Sequence, residues 1–383
     1  ATSLCSFDTG YSADCIEFCP HEGFEHIFVC GTYQVLEPAA AVPVGRDDED
    51  EEEEEEDAAP RQTQRTGRLL LFKVDQDQST FSELQRIDTA AILDAKWSPH
   101  LEGGCPVLAV ADAKGGITRY ALSTELVSLH STLERVEVTE DTTLCLSLDY
   151  ARCPARSASP TSNDLITSLS SGHLTHLTPT PTGYVSTSSW QAHAYEPWIA
   201  AWDVWDPNRV WSGGDDCVLK VWDVRMLEIP AGRCKDFEAG VTTIASSPYN
   251  EYLLAVGSYD ANLRLFDSRS LKSPVRIIPT AGGIWRTKFH PAGDRKGDIL
   301  LAGMHGGFSM VHLDKSIVGV SGAGETVSEW EATGDEAGSE IIGRFEGHTS
   351  LAYGADWCRL PPTAEGSLII SCSFYDHTMH MWR

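Results

Sequence analysis

Four residues of this 383-residue chain stand out by type and place as able to do chemistry: His305, His377, Asp94 and Arg286. An imidazole titrates near neutrality and can take a proton from water. A carboxylate can act as the base or orient a partner, and a guanidinium can hold a developing oxyanion. Five rings, Trp198, Tyr259, Trp285, Tyr353 and Tyr375, can seat a quaternary ammonium through cation–π attraction if they share a surface. The serine route has no signature. No Gly-x-Ser-x-Gly occurs, and the nearest run, Gly319-Val320-Ser321-Gly322-Ala323, is a polar stretch without the strand-turn-helix that activates such a serine. Metal spacing is missing too. None of the 11 cysteines forms a Cys-x2-Cys pair, and His173/His176 and His377/His380 are three apart, which on a strand puts the rings on opposite faces. Chemistry without a metal or a cofactor is therefore expected.

These residues are positioned by repeated β elements. Short runs ending in an aromatic and a turn recur, as in Cys15-Ile16-Glu17-Phe18, Leu93-Asp94-Ala95-Lys96-Trp97 and Trp285-Arg286-Thr287-Lys288-Phe289. Between them lie hairpins with an Asp six residues before a closing aromatic: Asp216 to Trp222, Asp260 to Phe266 and Asp376 to Trp382. The Asp makes the turn and the aromatic packs between neighbouring sheets, the signature of a WD40 blade. Landmarks fall at Phe18, Trp97, Tyr150, Trp205, Ser246, Phe289 and Trp357, at intervals of 79, 53, 55, 41, 43 and 68 residues. The two shortest match the ~40–45 residues of a WD40 repeat. The longer ones carry polar insertions at 37–66, 152–163 and 314–342. The expected fold is all-β, a single seven-bladed propeller over residues 1–383. Blade seven lacks an outer strand, and residues 2–8, which alternate suitably, are expected to supply it and close the ring.

In this frame His305 occupies the place of a turn Asp and His377 follows one directly, so each is either a base near solvent or an ordinary polar tip. Asp94 and Arg286 occupy equivalent positions on channel-facing strands. They either fill the channel as an ion pair or serve as base and oxyanion holder. His193 and His348 are read as members of structural His–Ser–Asp–Trp networks, which rigidify a blade when every group is satisfied.

Composition narrows the choices. With 42% hydrophobic and 22% charged residues, a soluble chain with a real core is expected. No run approaches the ~18 apolar residues of a membrane span. The net charge is −27, of which the unbroken acidic run Asp47–Asp57 supplies −11. Such a balance opposes binding to a phosphate backbone and suits a cationic substrate or a basic partner surface. The acidic run itself is expected to be a solvated loop. Ala1 to Gly10 has neither the basic start nor the apolar core of a signal peptide, and the scattered thiols suit a reducing compartment, so a cytoplasmic monomer is expected.

Several segments go beyond the generic repeat. They include Ser189-Trp190-Gln191-Ala192-His193, Pro197-Trp198-Ile199-Ala200-Ala201, Gly282-Gly283-Ile284-Trp285-Arg286, Met304-His305-Gly306-Gly307-Phe308, Tyr353-Gly354-Ala355-Asp356-Trp357 and Cys372-Ser373-Phe374-Tyr375-Asp376-His377. With Cys30-Gly31-Thr32-Tyr33-Gln34 and Ala91-Ile92-Leu93-Asp94, they resemble the WD40-repeat diphthine methyl ester hydrolases of diphthamide biosynthesis, in order and over nearly the whole chain. That resemblance implies a protein substrate, elongation factor 2 carrying methylated diphthine, whose modified histidine bears a trimethylammonium and a methyl ester. It implies hydrolysis of the ester. A non-catalytic WD40 scaffold that recruits a partner is the alternative, since a fold by itself fixes no function.

Overall fold

Each sequence repeat becomes an antiparallel sheet in the computed structural model, four-stranded in six blades and five-stranded in blade two, where Ser128–Ser131 and Val136–Glu137 both pair with Gly116–Ser123, and seven sheets surround a central channel. The structure describes residues 1–36, 63–75, 77–131, 135–139, 143–152, 163–181, 183–318 and 339–383. The innermost strands are Ser12–Phe18, Ile92–Trp97, Cys145–Tyr150, Ile199–Trp202, Val241–Ser246, Arg286–Phe289 and Ala352–Trp357. Each packs on the next and the last packs on the first. Six of the seven sequence landmarks are the final residues of these strands. Blade four differs: its strand ends at Trp202. Trp205 lies in the following turn, where the Asp203 carboxylate accepts from its backbone N–H at 2.8 Å and its indole donates to the Ser247 carbonyl at 2.8 Å.

Both faces of each blade are covered by neighbours, so the middle strands read as unbroken apolar runs, such as Ile299-Leu300-Leu301. The closing aromatics fill the spaces between blades: Phe266 and Trp382 are fully buried and Trp222 nearly so. In blade four His193 pairs through Nδ1 with Asp216 at 2.8 Å and through Nε2 with Ser212 at 2.7 Å, and Trp222 Nε1 donates to the same serine at 2.9 Å. In blade seven His348 lies 2.8 Å from Ser371, to which Trp382 donates at 2.9 Å, and 2.6 Å from Ser373, which donates to Asp376.

The ring closes at blade seven. Strand Ser3–Asp8 pairs antiparallel with Thr378–Trp382, from Ser3 opposite Trp382 to Asp8 opposite Thr378, and Ser3 Oγ lies 2.8 Å from His380 Nδ1. The insertion expected at 37–66 is shorter at its end. Strand Gln64–Val74 has begun by residue 64, with Leu36 opposite Gln64. The rest of that insertion, including the acidic run, lies outside the described residues. The insertion at 314–342 is framed by the helical turn Lys315–Val318 and the strand Ser339–Phe345, and Ser321 between them lies outside the described residues, as does most of 152–163.

One irregularity recurs at the channel. Five innermost strands break register at the same end: between Ala13 and Cys15, Ile92 and Asp94, Cys145 and Ser147, Val241 and Thr243, and Ala352 and Ala355. A bulge adds an unpaired residue and re-aims the side chains around it. Asp14, Leu93 and Tyr353 sit in three of these bulges.

Candidate active site at one mouth of the channel

Arg286 opens the strand of blade six and Asp94 lies in that of blade two, so the two face each other across the channel. Arg286 Nη2 is 3.7 Å from Asp94 Oδ1 and donates to the Leu93 carbonyl, which the blade-two bulge exposes, at 3.3 Å. Burial opposes the guanidinium's charge, but Asp94 and Asp14 outweigh it and push its pKa up. Asp94 is 1% exposed and its oxygens are fully engaged. Oδ1 accepts from Lys96 Nζ at 2.7 Å and from the Ala95 N–H at 3.0 Å, and Oδ2 accepts from the Leu148 N–H of blade three at 3.1 Å. Of the two sequence readings of Asp94, the geometry suits the orienting one: both oxygens are already taken up by Lys96 and two backbone N–H groups.

Trp285, beside Arg286, anchors a belt of rings around the mouth. Its centroid is 5.8 Å from that of Trp198, 6.2 Å from Tyr259 and 4.8 Å from Tyr353, and Tyr353 continues to Phe374 at 4.8 Å. Phe374 in turn touches Tyr33 and Tyr375. Trp198 is fixed by its indole, which donates to Asp215 at 2.6 Å. Burial pushes the phenols of Tyr259 and Tyr353 up, so both rings stay neutral. Tyr375 is at the edge, 69% exposed, with Phe374 as its only ring contact among the described residues. The cause is one extra residue. Blade seven pairs Cys372 with Met379, whereas blade five pairs Gly257 with Leu263, so Phe374 rather than Tyr375 takes the inward place that Tyr259 has.

His305 and His377 lie on the same face, outside this belt. The Gly303–Gly307 turn packs against Gly282 and Gly283 and is tied to Ala352, whose N–H donates to the Met304 carbonyl at 2.9 Å. His305 is exposed at its tip. His377 has φ +54° and its carbonyl accepts from both the N–H and the hydroxyl of Thr9, which turns it toward the ring closure. Among the described residues neither imidazole makes a side-chain hydrogen bond or ion pair, and neither is joined to Arg286 or Asp94.

Sequence reasoning passed over Asp14. It lies in the blade-one bulge, 5% exposed, within electrostatic reach of Arg286, Asp94, Tyr259 and Tyr353. Burial pushes its carboxyl up to about 7, against a lowering by Arg286, with Asp94 adding to the rise and the Trp285 indole opposing it. Asp14 Oδ1 and Trp285 Nε1 are both buried without a hydrogen-bond partner. Gly354 brings blades one and seven together here: a Cβ on it would stand 2.8 Å from Cys15 Cα and from Ile16 N. The sequence signal was an acidic residue close to the Asp94 position of the repeat, disguised by the bulge.

Deeper in the channel, Lys96 and Lys288 both reach Glu17 Oε1, at 2.8 and 2.5 Å, and Lys288 lies 3.8 Å from Asp356. Ala201 and Ala245 stand on the opposite side, where a cavity of about 390 Å³ runs up to Asp94 and Arg286. Among the described residues no cluster of three or more metal-ligating side chains is present.

The fold and this mouth define a WD40 β-propeller with a charged, ring-lined opening. A WD domain, G-beta repeat model matches residues 232–267, and the chain superposes on a propeller in the crystal structure of a mitotic checkpoint complex with a TM-score of 0.64 at 16% identity, over 100% of this chain and 91% of that one. Sequence relatives are more specific. The chain is 35% identical to human diphthine methyltransferase over 93% of its own length and 74% of that protein's. It is 32% identical to a diphthine methyltransferase homolog of Dictyostelium discoideum over 97% and 96%. The chain belongs to the diphthine methyltransferase family.

Proposed function

We propose that the chain is a carboxylic ester hydrolase that removes the methyl ester of methylated diphthine on elongation factor 2, giving diphthine. The observation that carries this reading is the meeting of a buried guanidinium with a belt of rings at one mouth. A trimethylammonium needs aromatic faces and a hydrolysing ester needs a fixed cation for its oxyanion. Trp285, Tyr353, Tyr259 and Trp198 would seat the ammonium, and Arg286, positioned by Asp94, would hold the oxyanion. His305 and His377 would face the protein around the modified residue. Relatives named diphthine methyltransferase support the pathway, and transfer of the ester's acyl group to water is the step added here. The acidic balance of the chain favours the approach of a cationic side chain.

The test is direct. Purified protein is incubated with methylated elongation factor 2, and intact mass is followed together with methanol release. Loss of one methylene unit with stoichiometric methanol is expected. Tight binding with unchanged mass would instead make the chain a non-catalytic scaffold.

A further inference from the structure

We infer that Asp14 is the general base of this site, drawing a proton from the attacking water under the Trp285–Tyr353 rings. The inference rests on the hydrolase reading above. Its grounds are geometric. Among the carboxylates at the mouth, Asp94 is consumed by Lys96, Arg286 and two backbone N–H groups, whereas Asp14 Oδ1 is buried with no partner. The Trp285 indole N–H is directed at that carboxyl and holds its pKa back, yet Nε1 reaches no hydrogen bond of ordinary length and angle. Because the direct contact falls short of normal geometry, donor and acceptor leave each other incompletely satisfied, and a bridging water molecule can serve both. Such a water would donate to Asp14 and accept from Trp285, next to the Arg286 guanidinium. Tyr353, within reach of Asp14, is only partly buried.

The step balances. The Asp14 carboxylate takes a proton from water as the water oxygen bonds to the ester carbon, and the carbonyl electron pair moves to the oxygen held by Arg286. Collapse breaks the bond to methoxide, which leaves as methanol with the proton from Asp14. The product carboxylic acid then ionises to solvent.

The groups facing Asp14 set its working range. They are Arg286 from blade six, Asp94 from blade two, Tyr353 from blade seven, Tyr259 from blade five, and the thiols of Cys15 and Cys30 within blade one. Burial with these neighbours puts its titration at about 7. Wild-type kcat/KM on methylated elongation factor 2 should therefore rise with pH to a plateau, with a midpoint near that value. Asp14→Asn should lose ~10²–10³-fold in kcat with KM little changed, and the acid limb should vanish from what activity remains. Asp14→Glu should keep part of the rate with a displaced midpoint. If wild type hydrolyses the ester but Asp14→Asn keeps its rate and pH profile, Asp14 is not the base and the hydrolase reading survives. If wild type leaves the ester intact, it is that reading which fails. Should Asp14→Asn not fold, the wild-type profile and Asp14→Glu decide: no midpoint near neutrality, and none moved by Glu, overturns the assignment.

Discussion

Arg286 reaches across the channel to Asp94, 3.7 Å away, while Asp94 keeps a shorter contact of 2.7 Å to Lys96. The carboxylate is therefore not left uncompensated when the guanidinium is removed. Arg286→Met should melt close to wild type yet lose ~10²–10³-fold in kcat, the usual effect of deleting an oxyanion donor. Asp94→Asn should behave differently, because it loosens the tie to the Leu148 N–H of blade three and costs ~1–3 kcal/mol of stability. Thermal melts beside steady-state rates separate the two. Near-normal turnover by Arg286→Met would remove the guanidinium from the mechanism.

The belt is assigned to binding, so its loss should appear in KM. A cation–π contact contributes ~0.5–2 kcal/mol. Trp285→Leu or Tyr353→Leu should thus raise KM for methylated elongation factor 2 by roughly 2–30-fold and leave kcat much less changed. A fall in kcat alone would mean that the rings shape the reacting centre rather than seat the ammonium.

His193 should matter to folding and not to chemistry. Its imidazole satisfies Ser212 and Asp216 inside blade four. His193→Ala is expected to lower stability by ~1–3 kcal/mol, read by denaturant melts, with the activity of the folded fraction retained. Inactivity in a variant that melts like wild type would contradict the structural role.

Stability should depend on pH in two opposing ways. Burial holds His348 at about 3 and His290 at about 4, so both stay neutral in the folded chain while the unfolded chain takes up protons below about 6.5. The unfolded state then binds more protons, and Tm should drop as pH falls from 6.5 toward 4. Asp14 acts the other way. Its folded pKa is raised above the ordinary carboxyl value, so the folded state binds the extra proton and its contribution worsens as pH climbs from about 4 to 7. Asp14→Asn should accordingly melt higher than wild type at pH 8, with the gap closing below about pH 4. A gap that does not change with pH would show that Asp14 titrates normally.

The repeat made the architecture readable. Asp216, Asp260 and Asp376 with their aromatics fixed the blades, and alternation in residues 2–8 placed the closing strand. Asp94 and Arg286 were legible because the repeat prefers small residues where they stand. The rest of the site escaped for local backbone reasons. A bulge takes Asp14 out of the alternation that sequence reading relies on, and one extra hairpin residue exchanges Tyr375 for Phe374. The turn positions of His305 and His377 predict the face on which they lie, but distance from the channel centre is not written in a repeat register. His305→Ala should therefore affect turnover much less than Arg286→Met, a comparison that rate assays on the two variants settle.

The pairing of Ser3–Asp8 with Thr378–Trp382 also sets an order in time. Residues 3–8 leave the ribosome long before 378–382 are made, an interval of tens of seconds at ~5–20 residues per second. Throughout translation the first strand has no partner while the other blades take shape. Its composition suits the wait: only Cys5 and Phe7 turn inward, and Ser3, Leu4, Ser6 and Asp8 face water even in the finished ring. A segment so weakly sticky can stay single until its distant counterpart arrives, so closure of the ring waits on a strand made far later than the one it joins.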